Sequence, residues 1–296
     1  MEKQGFGDRI KDLELAEAGR AAMPRLSVLA RLDGRAFHSL TKKFDRPFDA
    51  DMASCMVETT KALIEEFDPV CAYTQSDEIT LAWLEPCVFD GRFQKLTSVL
   101  ASYASAVFGP MLRNTKAQLP KQVPCFDCRV WQVPSFQDVI DVFVWREDDA
   151  TKNSITMAAQ KHYSHKQLMG VNSAQKHELL HVKGVNWNDY PPQFKRGVYL
   201  KCIVIERCLT PEEIRSLPEK ARPKVASSIV RRNLIAELDM PPIRKYSDAT
   251  RVLLGVDLPT DDRFERADVR YEVTKASPIE YRRRATTLKK LKAQKS

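Results

Sequence analysis

Two kinds of hydrophobic periodicity alternate between residues 26 and 133, and their order restricts what the chain can fold into. Residues 26–33, LSVLARLD, repeat every second position: Leu26, Val28, Ala30 and Leu32 alternate with Ser27, Leu29, Arg31 and Asp33. Leu29 makes the second side partly apolar, which suits a central strand, and Gly34 breaks the pattern. Residues 49–67, DADMASCMVETTKALIEEF, switch to helical spacing through Met52, Met56, Leu63 and Phe67. Asp49 is the N-cap and Asp51 sits in the first turn. Residues 69–75 and 78–84 are two strands around a tight polar turn at Ser76-Asp77. Residues 92–112 return to helical spacing with Leu96, Val99, Leu100, Tyr103 and Val107, and CFDCRVWQV, 125–133, is a further short strand. Strand, helix, strand, strand, helix, strand is the ferredoxin-like βαββαβ order of the α+β class, with both helices on one face of an antiparallel sheet.

In that topology the first and third strands are central neighbours and run antiparallel. Asp33 ends the first and Asp77 opens the third, so the two carboxylates are predicted to face each other across a strand gap of roughly 5 Å. Two like charges held close repel unless something positive lies between them. Oxygen ligands on strand ends suit magnesium, which binds through one or two carboxylates plus substrate phosphates. Two such ions about 3.5–4 Å apart can activate an attacking hydroxyl and steady a leaving pyrophosphate. Gly34 lets the backbone approach a phosphate, and its carbonyl could be a further ligand. Arg31, Arg35, His38, Lys42, Lys43 and Arg46 surround the corner with positive charge suited to a triphosphate. Asp-Gly and Ser-Asp are also common turn residues, and either alone reads as a turn. No GxxxxGK[ST] or GxGxxG phosphate loop competes.

Beyond the sheet, residues 135–163 read as a long helix capped by Ser135, with Trp145, Ile155 and Ala159 among its apolar positions. Residues 184–193 form a loop and 198–206 a further strand; from 210 prolines become frequent and the rest reads as an appended, partly helical region. Lys and Arg number 47 against 39 Asp and Glu, but seven of the eight net positive charges fall in the last fifteen residues, RRRATTLKKLKAQKS. That tail can track phosphates or be a solvated terminus. No apolar run approaches the eighteen or so residues of a membrane helix, and the charged N-terminus lacks the apolar centre of a signal peptide. A cytoplasmic protein with no membrane partner is expected, and seven irregularly spaced cysteines fit reduced thiols.

The stretches RLDGRAFHSLTKKFDRPFD, YTQSDEITLAW, PCFDCRVWQVPS, WREDDATKNSITMAAQKHYS and QKHELLHVKGVNWNDYPPQFKRG, with the opening FGDRIKDLE, resemble the tRNA-His guanylyltransferase family. The resemblance runs in order through roughly residues 5–200. It implies a polymerase- or cyclase-like palm that adds nucleotides in the 3′-to-5′ direction. It carries catalysis onto Asp33, Asp77 and, as accessory acid, Glu78. Ligation of two Mg²⁺ ions falls on Asp33, Gly34 and Asp77. Nucleotide contacts fall on Asp33, Gly34, Arg35, Ala36, Phe37, His38, Arg46, Ser76 and Asp77, with GTP and ATP as substrates. Arg129, Asn153 and Lys176 match positions associated with the RNA end or a second nucleotide. Residues 1–135 become a palm-like catalytic domain, 136–209 its helical, RNA-end-binding continuation, and 210–296 a C-terminal extension. The implied partners are tRNA, nucleoside triphosphates and three further copies of the chain in a homotetramer. Eukaryotic members carry His-Ile-Asn-Asn where this chain has Thr151-Lys152-Asn153-Ser154, keeping only Asn153 in step. That departure resembles the bacterial-type guanylyltransferase-like branch, associated with templated repair of 5′-truncated tRNAs.

Other signals compete. Residues 177–181, HELLH, match the HExxH zinc-protease pattern, and Gly184 follows as in its longer form. Trp187 stands where the third histidine belongs. Cys125 and Cys128 form a lone CxxC whose members point to opposite faces of a strand, which favours core packing, and Asp127 and Arg129 form a polar pair near a nucleic-acid face. Trp131, Trp145 and Trp187 are candidates for stacking on bases or for ordinary core packing. A non-catalytic RNA-binding palm is the alternative to the enzyme, and a nucleotide cyclase leaves the stretches after residue 124 without a role.

Overall fold

The computed structural model describes residues 6–86, 88–115, 122–221, 229–246 and 248–255. In chain order the elements are α1 (Phe6–Ala18), β1 (Ser27–Gly34), α2 (Phe37–Leu40), α3 (Ala50–Phe67), β2 (Cys71–Gln75), β3 (Glu78–Trp83), α4 (Phe93–Thr115) and β4 (Phe126–Val133). Then follow α5 (Phe136–Gln160), α6 (His165–Leu168), α7 (Ser173–Val182), α8 (Pro192–Arg196), β5 (Val198–Cys208), α9 (Pro211–Ser216), β6 (Ile229–Leu238) and α10 (Ala249–Leu254). The βαββαβ order is the predicted one, and the basic tail lies outside the described residues.

Local chemistry sets the helix ends. Asp49 accepts from the Met52 N–H and caps α3; Asp68 closes it in the left-handed region ahead of Pro69. Ser135 and Asp138 form a reciprocal capping box at the start of α5, satisfying two orphan backbone donors.

The strands make one antiparallel sheet in the order β4-β1-β3-β2-β5-β6. Alternate residues divide between its faces. Val28, Ala30, Leu32, Ile79 and Leu81 bury themselves under α3 and α4, against Leu63, Leu100 and Phe108. Burying each such side chain contributes about 1.5–3 kcal/mol. Within the βαββαβ unit both helices therefore lie on one face. Leu29, Tyr73 and Ala82 point the other way, where α5 covers them with Val139, Ile140 and Phe143, and α10 adds Leu253. Trp145, expected among the apolar positions of α5, is 52% exposed instead. A small third cluster, with Ala158, Leu168 and Leu180, seats α7 on α5.

The region after residue 210, expected to be partly helical, supplies a strand as well. β6 pairs along the whole of β5, from Tyr199 with Leu238 to Cys208 with Ile229. Residues 240–254 are tied back by side chains: Arg196 donates to the Met240 carbonyl at 3.1 Å and Lys201 to the Val252 carbonyl at 2.9 Å.

Candidate functional site

The two carboxylates of interest meet where β1 ends beside the β2–β3 turn, one position out of the expected register. Asp33 lies opposite Glu78 on β3 and opposite Asp127 on β4. Asp77 sits one residue further, opposite Gly34, whose N–H donates to the Asp77 carbonyl at 3.0 Å. The cause is the two-residue turn Ser76-Asp77 with Ser76 at φ 49°, which makes Gln75 and Glu78 the closing pair. The carboxylates still act on each other. Burial, and then the charge of Asp33, push the Asp77 pKa up, against hydrogen bonds from its own backbone and from Ser76.

Gly34 starts a turn that needs its missing side chain. A Cβ there would lie 2.5 Å from Cγ of Phe37, whose ring packs at 5.4 Å on Phe108 and 5.1 Å on Phe126. Ala36 takes a left-handed backbone, φ 56°, to start α2. The segment that follows bends round to Asp49, which also accepts from the Asp45 N–H at 3.1 Å. The segment borders a cavity of about 300 Å³ with a mixed lining. His38, Arg46, Ser76 and Asp77 contribute polar groups to it, and Phe44, Phe48, Met52, Met157 and Phe194 contribute apolar ones. Phe48 stacks flat on Phe194, with centroids 5.1 Å apart and 2° between the rings. The aromatic part was not foreseen in the sequence, because Phe194 arrives from α8, almost 150 residues after Phe48.

Glu78 is engaged elsewhere. Arg146 of α5 donates from Nε to Glu78 Oε1 at 2.6 Å, and Arg31 Nε lies 3.8 Å from Oε2. Arg146 Nη2 also reaches Asp149 Oδ2 at 2.9 Å, and Asn153 donates to that same oxygen at 3.3 Å. Asn153 and Glu78, separate in the sequence, are thus the ends of one polar chain. Burial pushes the Glu78 pKa up, and the two arginines pull against it.

The other sequence candidates lie outside the cavity lining. Arg35 is exposed, and its carbonyl accepts from the Gln122 amide at 3.2 Å. Arg129 is exposed on β4 opposite Arg31, two positions from Asp127. Lys176 donates to Thr156 at 2.9 Å, joining α7 to α5. In the HELLH stretch His177 packs edge-on against Trp187, with centroids 5.4 Å apart, and among the described residues no third ligand side chain joins His177 and His181. Cys128 belongs to the core under α4, and burial pushes its thiol up to about 12.

Asp33 and Asp77 could hold a hard divalent cation. Burial, and after it the charge of Asp33, raises the Asp77 pKa, and among the described residues no ion pair neutralises Asp33. No group of three or more His, Cys, Asp or Glu side chains among those residues is set to hold a metal. A two-carboxylate donor set suits magnesium, which takes its remaining ligands from water and phosphate.

A palm sheet bearing such a pair beside a cavity lined by both polar and aromatic side chains defines a palm-type nucleotidyltransferase. Residues 7–134 match the tRNA-His guanylyltransferase family. A probable tRNA(His) guanylyltransferase of Drosophila melanogaster is 31% identical over 208 residues, 65% of this chain and 72% of that protein. The Schizosaccharomyces pombe tRNA(His) guanylyltransferase is 30% identical over 59% of this chain and 73% of its own length. A bacterial tRNA(His) guanylyltransferase-like protein solved in complex with ATP superposes with TM-score 0.62 at 36% identity, covering 67% of this chain and 87% of that one. A second, in complex with GTP, gives 0.61 at 29% identity over 82% and 95%. The chain belongs to the tRNA-His guanylyltransferase family and is a nucleotidyltransferase of that type.

Proposed function

We propose that this enzyme adds GTP-derived nucleotides to the 5′ ends of tRNA in the 3′-to-5′ direction, 5′-truncated tRNAs among them. The observation that carries this is the cavity beside the carboxylate pair, with Asp77 in its lining. Its volume falls at the small end of ligand pockets, and its mixture of aromatic and polar side chains suits a nucleoside triphosphate. The base lies against Phe44, Phe48 and Phe194. The phosphates lie toward His38, Arg46 and the Ser76-Asp77 turn, whose positive and hydrogen-bonding groups orient them.

A 5′-monophosphorylated end is activated by adenylylation from ATP, or arrives triphosphorylated. The 3′-hydroxyl oxygen of GTP bonds to the 5′ phosphorus, the anhydride bond breaks, and AMP or pyrophosphate leaves with the electron pair. Asp33 and Asp77, with the Gly34 carbonyl, would hold magnesium. When bound, it lowers the pKa of the attacking hydroxyl and offsets the charge of the triphosphate. Glu78, held by Arg146, fixes the start of β3 directly after Asp77. Asn153 stands alone for the His-Ile-Asn-Asn motif, which favours repair of truncated ends over strict choice of tRNA-His. A homotetramer and a cytoplasmic location belong to the same proposal; no helix among the described residues is long and apolar enough to cross a membrane.

The test gives purified protein a 5′-truncated tRNA with labelled GTP and ATP, with and without magnesium. Label at the 5′ end, dependent on magnesium and lost in Asp33→Asn, is the expected result. RNA retained without any incorporation would make the chain a binding protein on the same palm.

A further inference from the structure

Four tryptophans are present, and three have packing to explain them. Trp83 is 3% exposed and donates to the Phe67 carbonyl; Trp131 packs under α5; Trp187 donates to Ser154 and packs on α7. Trp145 leaves half its surface in water at the edge of the catalytic corner.

The surroundings say what would bind. The guanidinium of Arg146 lies 4.4 Å from the centre of the Trp145 ring and that of Arg31 lies 5.2 Å away. Both arginines converge on the Glu78 carboxylate, on the sheet. Both guanidinium groups lie over the indole and hold its plane, while about half of the residue stays open to solvent. Arg31 and Asp33 share one face of β1, two residues or about 7 Å apart. Exposed Arg129 stands opposite Arg31 on β4. Trp145 is not part of the cavity lining, so a group stacked on it reaches Asp33 from outside the nucleotide cavity. A fixed aromatic plane, flanked by guanidinium groups and one nucleotide's reach from a carboxylate pair, suits an unpaired base whose phosphate lies at the pair.

We propose that Trp145 is the stacking platform for the base of the RNA's 5′-terminal nucleotide, with Arg31 and Arg129 as its cationic flanks. This rests on the proposed 5′-end chemistry. The incoming triphosphate enters through the cavity and the RNA end over Trp145, and the two meet at Asp33 and Asp77.

The experiment uses an RNA hairpin with a 5′-terminal 2-aminopurine nucleotide, whose fluorescence is quenched by stacking. The proteins are wild type, Trp145→Ala and Trp145→Phe, with melting temperature as the check on folding. Wild type should quench. Trp145→Phe should keep most of the quench and Trp145→Ala should lose it, with RNA binding weakened about tenfold and KM for GTP unchanged. Quench retained in Trp145→Ala, or absent in wild type, overturns the platform. So does quenching of free 2-aminopurine riboside triphosphate that the RNA does not displace, which would give the site to a free nucleotide. The same proteins are assayed for 5′ extension. If wild type quenches but never extends an RNA, the platform stands and the proposed reaction falls.

Discussion

Arg146 on α5 and Glu78 on β3 form an ion pair at 2.6 Å, with the two residues only 6% and 7% exposed. The pair joins the helix over the sheet to the first residue of β3, directly after Asp77 in the turn. Removing one partner of a buried pair strands a charge and costs about 3–5 kcal/mol. Arg146→Met should lose that much in urea unfolding, and Arg146→Lys should recover little, because one ammonium cannot serve both Glu78 and Asp149. Arg146→Met combined with Glu78→Leu should regain most of the loss. Additive losses in the double variant would show that the two side chains do not depend on each other.

Asp77 gives a prediction in which stability and activity move oppositely. Its pKa in the fold is raised from 3.8 by burial and by Asp33, so the fold prefers the protonated acid. The stabilisation from that proton is full below pH 3.8 and is lost as pH rises through the raised value. At pH 7 the metal-free enzyme carries the cost of the ionised form, and Asp77→Asn removes it. The variant should melt higher than wild type without divalent cation. Magnesium should raise the wild-type melting temperature and leave that of the variant unchanged. Extension activity should fall by more than about 100-fold, the upper loss seen when a residue merely supporting a metal ligand is changed. A variant that melts lower and still responds to magnesium would remove Asp77 from the cation site.

The palm was legible because each of its elements carries its own signal. Asp49 and Ser135 cap their helices as read, and the strands are short apolar runs between turn residues, buried on both faces in the sheet's centre. Register was not legible: whether Asp33 pairs with Asp77 or Glu78 depends on the conformation of Ser76, and a slip of one residue moves every partner. Arg146 and Glu147 hid inside the charged run Trp-Arg-Glu-Asp-Asp. The buried stripe Val139, Phe143, Arg146, Glu147, Ala150 and Ser154 has helical spacing straight through them, and that was the signal available. β6 was missed because Arg231, Arg232 and Asn233 interrupt its apolar residues, while its pairing partner, β5, lies across a connection of about twenty residues.

Gly34 tests how tightly the corner is built. A methyl group at this position meets the Phe37 ring, which cannot retreat because Phe108 and Phe126 hold it. Overpacking of this kind costs about 1–3 kcal/mol. Gly34→Ala should show that loss in chemical denaturation, and Phe37→Leu added to it should restore part. A Gly34→Ala variant as stable as wild type would mean that the ring has room to move.

Glu147 supplies a pH dependence remote from the carboxylate pair. It is 4% exposed, and burial pushes its pKa above 4.5. The Tyr199 hydroxyl at 3.0 Å, the Ile243 N–H at 3.1 Å and Arg196 at 3.9 Å pull the other way. Because the folded value lies above the unfolded one, stability from the bound proton is complete below about pH 4.5. It disappears as pH rises through the folded value. Glutamine has nearly the same shape; its Oε1 can accept from the Ile243 N–H while its Nε2 donates to the Tyr199 hydroxyl oxygen, and it never ionises. Unfolding free energies of wild type and Glu147→Gln should therefore run closest at acid pH. They should separate in favour of the variant as pH rises, and then stay parallel once the wild-type acid has titrated. Curves that separate in favour of wild type would mean that the ion pair with Arg196 outweighs burial, and that the 240–246 segment is held to α5 by charge.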